Sequence, residues 1–96
     1  MKALITGASS GIGKNMAYVL ANKGIDLILV ARNKEEMLKI KENVKVNVLV
    51  IELNLLKEKN VFKLYEMCKD ENIDILINNA GFGLFGIFTE TDLTRE

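Results

Sequence analysis

The stretch TGASSGIG at residues 6–13 decides how the rest of the sequence is interpreted. A short apolar run over Lys2–Thr6 leads into it, which predicts a β-strand. After it, apolar residues recur at helical spacing, namely Ile12, Met16, Val19 and Leu20. A turn between a strand and a helix presents unpaired backbone N–H groups at the positive end of the helix dipole. The stretch therefore predicts a strand, a phosphate-binding turn and a helix.

Each of the three glycines in this stretch has a steric task. Gly7 allows a sharp turn out of the strand, and Gly11 removes a side chain where a phosphate must approach the backbone. Gly13 permits close packing of the helix on the strand. By itself the pattern is equally typical of an ordinary glycine-rich turn, so further signals are needed.

The remainder of the chain alternates between strands and helices. Further strands are predicted at residues 26–31, 46–53 and 73–77, with helices at residues 34–43 and 57–71. Near-continuous apolar strands joined by helices indicate a parallel sheet covered on both faces, with right-handed crossovers. The predicted fold is an incomplete α/β doubly wound, Rossmann-type βαβαβαβ unit. Since no proline, repeat or biased segment marks a boundary, residues 1–96 are predicted to contain at most one domain, of which this incomplete unit is a part.

Composition excludes several classes of function. Thirteen basic and thirteen acidic residues give zero formal charge, so no general attraction to nucleic acid or to anionic membranes is expected. The absence of histidine excludes Ser-His-Asp triads and histidine-containing zinc sites, and no metal is expected. The lone Cys68 has no partner for an internal disulfide. Without a signal-peptide core or a segment of membrane length, a cytoplasmic protein is expected.

A nucleoside triphosphate loop is the competing interpretation of the same glycines. Residues 8–15, ASSGIGKN, nearly match the pattern G-x-x-x-x-G-K-[ST]. However, Ala8 replaces the first glycine, and Asn15 replaces the hydroxyl residue that would bind magnesium. Lys14 is therefore interpreted as a solvated residue on the first helical turn.

A second motif makes the assignment more specific. The predicted fourth strand ends in NNAG, residues 78–81. Together with TGxxxGxG at the first turn, this resembles the short-chain dehydrogenase/reductase family. The resemblance implies that a dinucleotide lies over the carboxyl ends of the strands, with Asn78 structural and Asn79, Ala80 and Gly81 at the cofactor. A strand-terminating turn would also explain the two asparagines.

The resemblance extends to the contacts of the first turn and to the choice of nicotinamide cofactor. The predicted contacts in the turn are Gly7, Ser9, Ser10, Gly11, Ile12 and Gly13. Where NAD-binding members carry an acidic residue after the second strand, this sequence has Arg32. Its planar charged fork suits a 2′-phosphate, and Ser9 or Ser10 could add a hydroxyl donor. The cofactor is therefore predicted to be NADP, the alternative being that Arg32 is a solvated residue at the start of the next helix.

An aspartate after the third strand binds the adenine amino group in the family. Alignment of the Asp-Leu pair with this sequence places Asn54 and Leu55 at that position. An amide oxygen can still accept a hydrogen bond, although without the charge. Glu52 is the other candidate, if the alignment is shifted by two residues.

The resemblance does not supply catalytic residues. The family uses serine, tyrosine and lysine that follow NNAG, the last two as YxxxK, whereas the one YxxxK string here, Tyr65 to Lys69, precedes it. Tyr65 falls on the apolar stripe of a helix, so it is predicted to pack in the core. Residues 1–96 are thus expected to bind NADP(H) for an oxidoreductase that transfers hydride between NADP(H) and an alcohol or carbonyl substrate, and to be inactive alone.

Two further expectations follow. The alternative function is a non-catalytic dinucleotide-binding or regulatory module.

Complete family members extend the sheet past the fourth strand. Here the edge at residues 73–77 or the apolar segment at residues 82–88 is therefore predicted to mediate homo-oligomer formation.

Overall fold

The structure is a computed structural model that describes residues 1–9 and 11–79. Within these residues, four strands alternate with three helices. The strands are β1 (Lys2–Thr6), β2 (Asp26–Ala31), β3 (Val48–Glu52) and β4 (Ile75–Asn78). The helices are α1 (Gly11–Asn22), α2 (Lys34–Asn43) and α3 (Glu58–Cys68).

The four strands form one parallel sheet in the order β3-β2-β1-β4. The central strand β1 pairs Ala3 with Leu27 of β2 on one side and with Ile75 of β4 on the other. The order reverses at β1, since β2 and β3 extend to one side and β4 to the other. This point of reversal is where open α/β sheets bind their ligands, at the carboxyl ends of the strands.

Helices cover both faces of the sheet, as the doubly wound prediction requires. On one face α1 and α2 pack against alternate residues of β1 and β2, such as Ile5 and Leu29. On the other face α3 packs through Val61, Leu64 and Cys68 against the intervening residues, among them Leu4 and Ile28. Successive side chains of a strand point to opposite faces of the sheet, so β1 and β2 are buried on both faces. The predicted fold class is confirmed.

The apolar stripe of α1 differs from the one predicted. Ile12 and Val19 are 69% and 46% exposed, whereas the buried residues are Gly13, Ala17, Leu20 and Ala21. Small side chains face the sheet because the start of α1 lies directly against the turn that follows β1. The apolar spacing that predicted the helix therefore does not coincide with the face that α1 buries.

Three elements, β3, α3 and β4, are shorter than predicted or shifted along the sequence. β3 begins at Val48 and not at Val46, because the Asn47 N–H donates to the Asp26 carboxylate (3.1 Å) in the segment leading into the strand. α3 ends at Cys68, where the Glu71 N–H donates back to the Cys68 carbonyl (2.9 Å) in a closing turn. β4 accordingly begins at Ile75 and extends to Asn78.

None of the helices in residues 1–9 and 11–79 is long and apolar enough to cross a membrane. The segments at residues 82–88 and 91–96, with the expectations attached to them, lie outside the described residues.

Candidate functional site

An open groove of about 940 Å³ lies along the carboxyl ends of β1, β2 and β3. Its volume falls in the range of small-molecule sites. Three segments form its walls: the turn after β1, the start of α2, and the connection from β3 to α3. The lining residues include Gly7, Ser9, Arg32, Lys34, Glu52 and Asn54. The groove therefore lies where a doubly wound sheet is expected to bind a ligand.

The glycine turn is shaped by close backbone contacts. A side chain at Gly13 would place its Cβ 2.3 Å from the Gly7 carbonyl oxygen, closer than real Cβ atoms approach. Gly7 and Gly11 have positive φ angles of 65° and 58°, which L side chains rarely adopt. Among the described residues beyond the adjoining backbone, nothing lies within 4 Å of where a Cβ of Gly11 would stand. These observations agree with a sharp turn at Gly7 and close packing at Gly13, and the phosphate contact at Gly11 stays a prediction.

Two asparagines at the end of β4, Asn78 within the strand and Asn79 directly after it, contact β1 and the glycine turn. Thr6, fully buried at the end of β1, donates through Oγ1 to Asn78 Oδ1 (3.1 Å). Asn79 Nδ2 donates to the Gly7 carbonyl (3.4 Å), and its side chain would lie 3.1 Å from a Cβ at Gly13. Asn78 thus has the structural role expected of it, and Asn79 buttresses the glycine turn from outside the groove.

Arg32 follows β2 directly and is exposed at the wall of the groove. Among the described residues, no carboxylate lies within ion-pair distance of its guanidinium. The next residue, Asn33, caps α2 by accepting from the Glu36 N–H (3.2 Å). The cap fixes where the chain turns from β2 into α2, and so fixes the backbone at Arg32.

Lys14 lies on the first turn of α1, as the sequence predicts, and its side chain is 40% exposed and takes part in an ion pair. Its Nζ lies 3.5 Å from the Glu36 carboxylate and ties the first turn of α1 to that of α2. Lys39 contacts the same carboxylate at 3.2 Å. Hydrogen bonds and charge from Lys39, and then from Lys14, lower the pKa of Glu36. A lysine held at α2 is not placed like the phosphate-binding lysine of a triphosphate loop, which weakens that alternative.

The connection after β3 presents Asn54 to the groove. Asn54 Oδ1 accepts from the Leu56 N–H (3.0 Å), and its carbonyl accepts from Asn60 Nδ2 (2.8 Å). Leu55 packs in the core with residues of α3 and is only 7% exposed. It also lines the groove, so it offers a ligand a small apolar surface. Glu52 also lines the groove, at the last position of β3.

The structure brings five of the predicted cofactor residues to one groove: Gly7, Ser9, Arg32, Asn54 and Leu55. Gly13 and Asn79 support the turn from behind, while Gly11 and Ile12 are exposed at the start of α1. Ser10, Ala80 and Gly81 lie outside the described residues. The Asn33 cap and the Lys14–Glu36 pair were missed, although the spacing Asn-x-x-Glu before an amphipathic helix is a known capping signal.

Tyr65 lies on α3 and packs against the core on that face of the sheet. The neighbouring Lys69 contacts Glu66 at 3.0 Å, and this hydrogen bond and charge raise the lysine pKa. Tyr65 does not line the groove, which agrees with a packing role for it. In the part of the chain that the structure describes, no cluster of acidic or cysteine side chains could hold a metal ion.

Comparison with known proteins agrees with this geometry. A profile of the short chain dehydrogenase family matches residues 1–95. The very-long-chain 3-oxoacyl-CoA reductase of Candida glabrata is 39% identical over 85 residues, which are 82% of this chain and 24% of that protein. The chain therefore spans about a quarter of the length of this curated relative.

Two solved structures share the fold closely. The bulky-bulky ketone specific alcohol dehydrogenase from Comamonas testosteroni is 41% identical with a TM-score of 0.74, covering 85% of this chain and 36% of that one. A short-chain dehydrogenase from Sphingobium yanoikuyae in complex with NADPH is 37% identical with a TM-score of 0.73, covering 84% and 34%. Because the family profile matches residues 1–95, this chain belongs to the short-chain dehydrogenase/reductase family and corresponds to the N-terminal portion of its members.

Proposed function

We propose that this chain is the NADP(H)-binding portion of an oxidoreductase that interconverts an alcohol and a carbonyl compound. The observation that carries the proposal is the pairing, on one groove, of a glycine turn open to a phosphate with Arg32 at the end of β2. An acidic residue at the position of Arg32 would instead favour the 2′-hydroxyl of NAD. NADPH is bound in the related Sphingobium yanoikuyae structure, which supports the same assignment here.

The residues of the groove fit the parts of such a dinucleotide. Backbone N–H groups at the start of α1 suit the pyrophosphate, and the open space at Gly11 leaves room for it. The Arg32 guanidinium suits the 2′-phosphate, because it is permanently charged and has no competing carboxylate among the described residues. When bound, the cofactor supplies the hydride, while these residues supply binding and orientation.

Cofactor titration tests the proposal. The full-length protein should bind NADP⁺ more tightly than NAD⁺ by about ten- to a few-hundred-fold, as expected for one or two charge-assisted hydrogen bonds. Arg32→Asp should reverse the order, since it replaces a phosphate donor with a hydroxyl acceptor and a repulsive charge. Lys45→Asp makes the same change of charge at an exposed position away from the groove and should leave the order intact. Equal affinities that Arg32→Asp does not change would contradict the assignment.

Turnover separates the enzyme from the non-catalytic alternative. The full-length protein should consume NADPH with at least one member of a panel of ketones and aldehydes. Cofactor binding without turnover across a broad panel would favour a dinucleotide-binding or regulatory module.

A further inference from the structure

The purine base of the proposed dinucleotide has a restricted place in the groove. The base and the 2′-phosphate are carried by the same ribose, so a phosphate at Arg32 keeps the base close to the end of β2. In the sheet order, β3 is the neighbour of β2 on the side away from the glycine turn. The segment after β3 supplies this wall, with Leu53 and Leu56 as apolar surface and Asn54 as a polar side chain. Asn54 is therefore placed to meet an edge of the base.

The orientation of the Asn54 amide follows from its partner. A backbone N–H can only donate, so the side-chain atom 3.0 Å from the Leu56 nitrogen must be the oxygen. One of the two lone pairs of this oxygen is thereby engaged in holding the connection from β3 to α3, whereas the NH₂ group takes no part in that connection. Asn60, which donates to the Asn54 carbonyl, tightens the same connection. Turning the amide over would place two donors against each other.

The other end of the amide is a donor. No residue in the described ranges accepts a hydrogen bond from Asn54 Nδ2. Nor does any buried side-chain nitrogen or oxygen there lack a partner, so this NH₂ group is accessible to solvent, on a residue that lines the groove. An aspartate here would keep an oxygen for the Leu56 N–H and present a second, accepting oxygen. The asparagine reverses the polarity of that atom without changing its position.

We infer that Asn54 reads the base as a hydrogen-bond donor, so that this site does not select the amino group at purine C6. Adenine presents a donor at C6, whereas a 6-oxo purine presents an acceptor. A donating Asn54 Nδ2 pairs with the 6-oxo group and repels the 6-amino group, which leaves ring nitrogens as the acceptors for adenine. The inference rests on the proposed function, because it requires the dinucleotide to lie in this groove.

The test compares NADP⁺ with nicotinamide hypoxanthine dinucleotide phosphate, in which an oxygen replaces the C6 amino group. Both are titrated into the full-length protein, and the measured quantity is the dissociation constant of the hypoxanthine form divided by that of NADP⁺. The wild-type ratio is expected to be one or below. Asn54→Asp exchanges the donor for a charged acceptor and should raise the ratio to about ten or more. Asn72→Asp adds the same charge at an exposed position outside the groove and should leave the ratio at the wild-type value.

The outcomes separate the inference from the function on which it rests. A wild-type ratio above one, or a ratio that Asn54→Asp leaves unchanged, would overturn the donor role, even if NADP⁺ still binds in an Arg32-dependent manner. Failure of both dinucleotides to bind would overturn the proposed function and the inference together. If Asn54→Asp destabilises the protein, the wild-type ratio alone decides, because it needs no variant.

Discussion

The two ends of the same parallel sheet treat their polar groups in opposite ways. At the amino ends, polar groups bind one another: the Lys2 N–H donates to the Asp74 carboxylate (2.9 Å), the Lys2 ammonium contacts Glu71, and the Asn47 N–H donates to Asp26. At the carboxyl ends, the Arg32 guanidinium and the Asn54 NH₂ group have no partner among the described residues. Paired groups hold the sheet together, and open groups are available to a ligand.

This difference predicts that polar groups at the amino ends of the strands contribute to stability, whereas those at the carboxyl ends contribute to ligand binding. Substitutions at the amino ends should change the free energy of unfolding and leave cofactor affinity alone. Substitutions of open groups at the carboxyl ends should do the reverse. The glycine turn is the exception, since it lies at the carboxyl ends and yet is packed as tightly as a core.

Gly13→Ala should have the largest effect, because it should lower both the free energy of unfolding and the affinity for the cofactor. Its methyl group would stand 2.3 Å from the Gly7 carbonyl oxygen, so α1 must move away from β1. We expect a loss of about 2–3 kcal/mol in the free energy of unfolding, measured with urea, as for other overpacked sites. NADP⁺ and NAD⁺ affinities should fall together, because the turn serves the pyrophosphate that both cofactors carry.

Gly11→Ala is the matched control, two residues away in the same helix. Among the described residues, and apart from the adjoining backbone, no atom lies within 4 Å of the added methyl group, so the expected cost is that of the positive φ, about 1 kcal/mol. An equal loss of stability in the two variants would mean that the contact between Gly13 and Gly7 is not what shapes the turn.

The fold could be predicted from the sequence because its signals are local and repeated. The near-continuous apolar residues of Asp26–Ala31 require burial on both faces, which a doubly wound sheet provides. The details that failed depend on tertiary contacts. Ile12 has the spacing of a core residue, but the close approach at Gly13 turns α1 so that small side chains face the sheet.

The site was predictable to the extent that backbone sterics determine it. The tasks of Gly7 and Gly13 follow from the need for a sharp turn and close packing, and the structure agrees. The hydrogen bonding of Asn54 could not be predicted, because it depends on where the Leu56 N–H points after β3 ends. The ion pair of Lys14 likewise depends on how α1 and α2 pack side by side.

A smaller effect is expected at the amino ends of the strands, where Lys2→Gln removes an ion pair. The hydrogen bond that the Lys2 ammonium donates to Glu71 raises the pKa of Lys2 above its usual 10.5; burial opposes this rise, and the charges of nearby carboxylates add to it. A raised pKa in the folded state stabilises the protein below the pKa of the unfolded state, and this contribution is lost as pH rises through the folded value. Both side chains are partly exposed, at 31% and 34%, so solvent screens the pair. The free energy of unfolding of the wild type should therefore exceed that of the variant by at most about 1 kcal/mol at pH 8.

Urea unfolding at several pH values checks this expectation. The difference between wild type and Lys2→Gln should shrink above pH 10.5, while the affinity for NADP⁺ stays the same in both proteins. Lys45→Gln, at an exposed site with no ion pair among the described residues, should show no such pH-dependent difference. A loss of NADP⁺ affinity in Lys2→Gln would break the separation between the two ends of the sheet.

The smallest effect on turnover and cofactor affinity is expected for a substitution of Tyr65, which lies on a face of the sheet and at neither end of its strands. The sequence Tyr-x-x-x-Lys occurs here on α3, yet Tyr65 packs against the core and does not line the groove, and Lys69 pairs with Glu66. A proton donor must lie within hydrogen-bond reach of the reacting carbonyl, directly or through one water. Tyr65→Phe should therefore leave both the turnover of NADPH by the full-length protein and its affinity for NADP⁺ unchanged. The variant keeps the aromatic ring, so a loss of turnover at unchanged stability would assign the proton to the Tyr65 hydroxyl and place catalysis on a face of the sheet instead of its carboxyl ends.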